Sequence, residues 1–266
     1  MKCSLVLSVV LVLCLSAVQS AKLVKRSAGV GFTGGRIVGG RDATEGQAPW
    51  QASLLVNGWF GWSHNCGGTL TGKRSVVTAA HCTEGYTKDT LKIQYGGLDR
   101  TALTYDNPIV QINEHDQWNK PSQFDYDYAV INLERDIEVG GNVGTLELAQ
   151  TEPKTGDKAD LTGWGATSYG GALPVPLQYV QFEILSQAEC NTQYAGQIEV
   201  TPRMICTRNP TASVCGGDSG GPLVSGGKLV GIVSWGRSGC PADTQTSPNA
   251  YANVANLVDW LQQRIV

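Results

Sequence analysis

An all-β fold of the sandwich or barrel kind is what this sequence predicts, on three observations. From Ile37 onward, short runs rich in β-branched and aromatic residues recur. Clusters of glycine, proline and asparagine separate them, and no helical period appears until the C-terminal end. The composition agrees. With 33 glycines, 41% hydrophobic and 16% charged residues among 266, the chain suits a folded globular protein and excludes a disordered tail, a collagen or a coiled coil. A formal net charge of −3 without a basic run gives nucleic acid no footing.

The first 36 residues stand apart from that pattern. Met1-Lys2 open a short positive region, Leu5 to Val18 are apolar apart from Ser8 and Ser16, and Ser20 offers a small residue for cleavage. Residues 1–20 therefore read as a secretory signal peptide, with Cys3 and Cys14 leaving with it. The apolar run of 14 residues falls short of the ~20 that cross a bilayer, so no membrane anchor is expected. Residues 21–36 are Gly-rich and basic without an acid, have little to bury, and read as a loop or segment open to proteolysis. Residues 1–36 hold five of the 20 Lys and Arg and none of the 23 Asp and Glu, so the chain from Ile37 carries −8. Its six remaining cysteines would lie in an oxidising compartment.

The expected strands of the first half are Gln51–Val56, closed by Asn57-Gly58; Ser75–Thr78; Leu91–Tyr95, closed by Gly96-Gly97; Ile109–Ile112, opened by Pro108; and Ala129–Leu133. Those of the second half are Asp160–Thr162, closed by Gly163; Leu177–Leu185; Pro222–Val224; Leu229–Trp235, between Gly226-Gly227 and Gly236; and Ala250–Ala252. Polar, Gly-containing residues 134–157 read as a linker. It separates residues 37–133 from 158–266, two halves of roughly 100 residues that would each suit one small barrel. Val254, Leu257, Val258, Leu261 and Ile265 repeat at helical spacing and predict an amphipathic C-terminal helix.

Three constellations could carry chemistry. Gly217-Asp218-Ser219-Gly220-Gly221-Pro222 places a serine among glycines, which let a carbonyl approach closely and free N–H groups for a developing oxyanion. Alone, it is explained as well by a structural turn. It also fits the G-x-S-x-G elbow of α/β-hydrolases, but that arrangement needs a histidine after the serine. His64, His81 and His115 all precede Ser219, which removes it. Thr78-Ala79-Ala80-His81-Cys82 offers a general base, or merely a structural histidine, and lacks any CxxC or HxxxH metal spacing. Asp127 leads directly into the apolar run Tyr128–Leu133, where it could orient an imidazole or simply start a strand.

The order His81, Asp127, Ser219, with T-A-A-H-C, G-D-S-G-G-P and the I-V-G-G start at Ile37, resembles the chymotrypsin/trypsin family of serine proteases over residues 37–266. That resemblance implies a chymotrypsin-like fold: two six-stranded antiparallel β-barrels with the active site in the cleft between them, and a C-terminal helix. It implies Ser219 as nucleophile, His81 as base and Asp127 as its orienting acid, with Asp125 the competing acid two residues away. Gly217 and Ser219 would form the oxyanion hole. Residues 21–36 become an activation propeptide, cut after Arg36 by a trypsin-like protease. The freed amino group of Ile37 would then pair with Asp218. His64 corresponds to a structural histidine, and His115 to a surface residue. The implied disulfides are Cys66–Cys82, Cys190–Cys206 and Cys215–Cys240.

By the same resemblance, Ser213, Val214, Ser234, Trp235, Gly236 and Asn249 meet the substrate. Trypsin-like members carry Asp where this chain has Ser213, so a preference for Phe, Tyr, Leu or Met is expected. Elastase-like or broad collagenolytic specificity follows if Asn249 shortens the pocket, and only Asp243 in the neighbouring loop offers an acid for a basic side chain. No cofactor and no metal are expected, because residues 94–105 lack the family's acidic pair for calcium. The expected partners are protein or peptide substrates, an activating protease and protein protease inhibitors, for a secreted monomer. A non-catalytic binding protein on the same fold is the rival reading; such relatives lose a triad residue, and this chain retains all three.

Overall fold

The computed structural model describes residues 37–266; the expected signal peptide and propeptide lie outside the described residues. In chain order the strands are β1 (Arg41–Asp42), β2 (Gln51–Gly58), β3 (Gly61–Thr71), β4 (Ser75–Thr78), β5 (Leu91–Tyr95), β6 (Tyr105–Asn107), β7 (Ile109–Glu114) and β8 (Ala129–Leu133). They continue with β9 (Lys158–Gly163), β10 (Gln178–Ile184), β11 (Met204–Arg208), β12 (Pro222–Ser225), β13 (Lys228–Trp235) and β14 (Asn249–Asn253). The helices are α1 (Gln187–Tyr194) and α2 (Val258–Gln262).

The second half closes into a barrel. Its antiparallel order is β9-β10-β11-β14-β13-β12, and β12 returns to β9 through Leu223 opposite Leu161. Strand β1 adds to the outside of β10. The first half is a seven-stranded antiparallel sheet, β6-β5-β2-β3-β4-β8-β7, and among the described residues no ladder joins its edge strands β6 and β7. It is a half-barrel rather than a closed one. Pro108, which has no N–H to donate, separates the two edges, and a register shift between Ile109 and Gln111 bends β7.

Buried side chains explain why the halves stay together. Leu54, Leu70, Val76, Ile93 and Ile131 of the first sheet share one core cluster with Leu229, Ile232, Val254 and Leu261 of the second half. Leu161, Phe182, Leu223, Val233 and Tyr251 fill the closed barrel, and Ile37 joins them. The connecting segment 134–157 is stitched rather than loose: Leu146 N–H donates to the Leu70 carbonyl, and Leu148 pairs with Leu229. The C-terminal helix is shorter than the 3.6-residue repeat predicts. Leu257 leaves helical geometry (φ −122°, ψ 27°), which splits the segment into a 3₁₀ turn, Ala255–Leu257, and the five residues of α2. Beyond it, the Val266 carbonyl accepts from the N–H groups of Lys73 and Arg74, and Val266 N–H donates to Ser75 Oγ.

Candidate active site

Strand pairing brings the histidine and the aspartate together. β4 and β8 run antiparallel with Thr78 opposite Ala129, so the residues just after β4 and just before β8 meet at one edge. His81 sits in the 3₁₀ turn Ala80–Cys82, and Asp127 lies two residues before β8, with Tyr128 between. His81 Nδ1 lies 2.7 Å from Asp127 Oδ2, and the His81 backbone N–H donates to Asp127 Oδ1 at 2.9 Å. Ser234 Oγ, at the end of β13, donates to Asp127 Oδ2 at 2.5 Å. The completely buried carboxylate therefore has three donors, the condition for keeping a charge out of water. Ser234, expected along the substrate by its strand, gives its hydroxyl to this carboxylate as well. Burial pushes the His81 pKa down, but the charge and hydrogen bond of Asp127, with Glu84 adding to them, outweigh it, and the net shift is upward.

Ser219 lies in the turn before β12. Its carbonyl accepts from Gly67 N–H of β3 at 2.7 Å, and Gly220 N–H donates to the Val233 carbonyl at 2.8 Å. Gly220 has φ +75°, and a Cβ there would lie 2.1 Å from Thr78 Oγ1, so only glycine lets this turn press against the end of β4. The serine hydroxyl makes no hydrogen bond among the described residues. The amides around it are unequally used: those of Cys215, Asp218, Gly220 and Gly221 all donate within the protein, whereas those of the exposed Gly216 and the part-buried Gly217 and Ser219 donate to nothing among the described residues. Gly217 has φ +98°, a conformation that side chains rarely adopt.

His64 supports that turn. Its Nε2 is 2.9 Å from the Gly217 carbonyl, which can only accept, so Nε2 carries the proton and Nδ1 accepts from Ser53 Oγ at 2.8 Å. Burial lowers the His64 pKa to about 4 despite the Gly217 bond, with Arg100 helping to lower it. Below pH 6.5 the unfolded chain takes up a proton that the folded ring refuses until about pH 4. Stability should therefore fall by about 3 kcal/mol as pH drops across that window. Urea titrations at several pH values should show this slope in the parent and not in His64→Gln.

Asp218 is completely buried. Among the described residues its oxygens accept only the amides of Gly165 and Cys215, both at 2.9 Å, and burial raises its pKa to about 7. A Cβ on Gly165 would lie 2.2 Å from Asp218 Cγ, so the approach requires that glycine. Ile37 is also fully buried, packed in the cluster that includes Ala212 and Val214. Its φ of +22° is one that a β-branched residue adopts only under strain.

Ser213, Val214, Gly236 and Asn249 lie against one another. Ser213 Oγ donates to the Val214 carbonyl (3.0 Å) and to Asn249 Oδ1 (3.1 Å), and a Cβ on Gly236 would lie 3.2 Å from Asn249 Oδ1. Asn249 Nδ2 is buried and unpartnered. Asp243 is exposed and accepts from Gln245 N–H. Trp235 stacks on Phe124 and meets Tyr194 edge-on. Disulfides Cys66–Cys82, Cys190–Cys206 and Cys215–Cys240 tie the His81 turn to β3, α1 to β11, and the Ser219 turn to the segment after Gly236. Cys66 and Cys82 crowd His81, but disulfide sulfurs offer no thiolate to a metal. His115 is not a bare surface residue; it stacks on Tyr126 and lies beside Trp260.

The His81 imidazole is hydrogen-bonded to the buried Asp127 carboxylate, and the Ser219 turn is joined to β3 at Gly67, next to the Cys66 that is disulfide-bonded to the His81 turn; the arrangement fits a serine endopeptidase. A model of the family described as Trypsin matches residues 37–261. The chain is 38% identical over 228 residues to trypsin alpha-4 of Lucilia cuprina, covering 85% of this chain and 86% of that one. It is 38% identical over 229 residues to trypsin beta of Drosophila erecta, covering 85% and 87%. Among solved structures it is similar to neuropsin, a serine protease expressed in the limbic system of mouse brain. That match has a TM-score of 0.75 and 31% identity, over 84% of this chain and 97% of that one. The chain belongs to the trypsin family of serine proteases.

Proposed function

We propose that Ser219, His81 and Asp127 form the catalytic triad of a secreted endopeptidase, made as a zymogen and selective for large apolar side chains. The observation that carries this reading is the pair of unspent N–H groups on Gly217 and Ser219, in a turn where the other buried amides are consumed. Ser219 Oγ attacks the scissile carbonyl while His81 Nε2 takes its proton. The carbonyl oxygen, now negative, receives both amides, each worth about 3–4 kcal/mol in such a site. Collapse expels the leaving amine with the proton from His81, and water repeats the sequence on the acyl-enzyme. Asp127 keeps the proton of the resting imidazole on Nδ1, leaving Nε2 free to act.

Specificity follows from the neutral floor. A Lys or Arg side chain would enter beside Ser213 and Asn249 without a countercharge, an arrangement that burial penalises. An aromatic or Leu side chain needs none. Asn249 beside Gly236 also supports an elastase-like alternative with a shorter pocket. Export is supported by the apolar segment before Ser20 and by the three disulfides. Cutting after Arg36 would free an ammonium for Asp218. The enzyme would act as a monomer and be blocked by protein inhibitors that fill the same cleft.

The test is kcat/KM on peptide amides across pH. Phe, Tyr or Leu before the cleaved bond should exceed Arg or Lys by about tenfold or more. Activity should fall on acidification through a pKa above the ordinary imidazole value of 6.5, because a protonated His81 cannot act as base. Faster turnover of the Arg amide, or a flat profile down to pH 4, would overturn the specificity and the base respectively.

A further inference from the structure

Asp125, the second acid of the Asp125-Tyr126-Asp127 string, has no place in the mechanism above, yet it is completely buried and fully engaged. Its Oδ1 accepts from Arg203 Nε at 2.7 Å and from Thr201 Oγ1 at 2.9 Å, and its Oδ2 accepts from Arg203 Nη2 at 2.5 Å. This is the fork-to-carboxylate geometry in which arginine binds most firmly. The grip extends along the chain. The Arg203 guanidinium lies 4.4 Å over the Tyr126 ring, and its own carbonyl accepts from Tyr128 OH at 2.9 Å. Arg203 belongs to the second half, just before β11; residues 124–128 belong to the first, just before β8.

The segment so held is strained. Phe124 has φ +60° and Tyr126 φ +54°, left-handed values that bulky residues avoid, on either side of the ion-paired Asp125. Such a backbone persists only where its surroundings hold it: Asn119 Oδ1 accepts from Phe124 N–H, Trp235 stacks on Phe124 and His115 on Tyr126, and Arg203 supplies the one countercharge on Asp125 among the described residues. Asp127 is the next residue. If Tyr126 relaxed to negative φ, the Asp127 carboxylate would turn relative to the His81 ring and backbone N–H, both of which it now meets.

We propose that Arg203, acting through Asp125, is a positioning residue that holds the strained Phe124–Tyr126 path and thereby sets Asp127 against His81. This rests on the triad reading above. The groups that face His81 are Asp127 and Glu84, and those that face Arg203 are Asp125, Tyr126 and Tyr128. Changing Arg203 leaves the covalent groups at His81 in place but strips the buried Asp125 of its countercharge, which is why the Asp125→Asn variant accompanies it. Hydrogen bonds to Asp125 raise the guanidinium pKa further, so Arg203 stays charged across any assay range.

The experiment compares Arg203→Met, Arg203→Lys and Asp125→Asn with the parent, all normalised to the fraction labelled by a fluorophosphonate and checked for folding by circular dichroism. Arg203→Met should lower kcat roughly ten- to hundredfold, the scale of an ångström-sized misplacement. KM for a short peptide amide should stay within about twofold. The acidic limb of kcat/KM should move to lower pH, because a displaced Asp127 no longer raises His81 as far. Arg203→Lys should recover part of the loss, and Asp125→Asn combined with Arg203→Met should be no worse than Arg203→Met alone. A parental limb and kcat in Arg203→Met, or losses that vanish on normalisation, would overturn the proposal. Ser219→Ala and Asp127→Asn serve as controls. If they remain active, the triad reading fails; if they are dead while Arg203→Met behaves as the parent, only the positioning role fails.

Discussion

Ser219→Ala is expected to lower kcat for peptide amides by roughly 10⁴- to 10⁶-fold while leaving substrate binding nearly unchanged. Nothing else at the seam can replace the nucleophile: Cys66 and Cys82 are disulfide-bonded, and the Ser234 hydroxyl is committed to Asp127. The rate that remains would come from the two free amides and from positioning alone. His81→Ala should cost a similar factor, and the double variant little more, because base and nucleophile act as one unit. Fluorophosphonate labelling should vanish in Ser219→Ala while the affinity of a reversible peptide inhibitor persists. A variant that still labels, or that loses hydrolysis only tenfold, would remove Ser219 from the reaction.

The second large effect concerns Arg36. Treatment with a trypsin-like protease should raise the activity of the parent by roughly 10²- to 10⁴-fold and leave Arg36→Gln unchanged, the scale set by supplying a partner to a buried charge. The physical basis is Asp218, whose carboxyl is held near pKa 7 by burial and meets only two amides among the described residues. In the uncut chain, the unfolded carboxyl ionises near 3.8 while the folded one stays protonated to about 7. The stability it confers is therefore present at low pH and lost as pH rises through that window. A new ammonium at Ile37 pairs with the carboxylate and removes the loss. Melting temperatures of cut and uncut protein should consequently diverge as pH rises from 4 to 7. Equal activation of Arg36→Gln, or parallel melting curves, would refute the zymogen reading.

The chemistry was more legible in the sequence than the architecture was. His81, Asp127 and Ser219 stood in strings whose residue types follow from the reaction, so they were readable without a fold. Strand β3 was not, because Gly61, Gly67 and Gly68 look like separators; Gly67 and Gly68 are there because neighbours press close, with a Cβ on Gly67 lying 2.9 Å from Gly221 Cα, and Gly61 because its φ is +93°. Helix α1 escaped a search for periodicity because only Cys190 and Tyr194 face inward, yet Ser186 and Glu189 form a capping box that a search for helix starts would have found. The open first sheet depends on how edges pair across space, which no local pattern encodes. The same holds for the second roles of His64, Ser234 and Asp125, each set by a partner more than 70 positions away.

The stitching of residues 254–266 onto the first sheet has a consequence for synthesis. Val254 and Leu261 complete the cluster built by Leu54, Leu70 and Val76, and Val266 bonds to residues 73–75. These residues leave the ribosome after every other described element, so the earlier sheet emerges with part of its apolar face uncovered and a pair of edges unsealed. The nascent chain cannot finish its first half until its last turn is free. The seam between the two sheets is thus completed only after residues 254–266 have emerged.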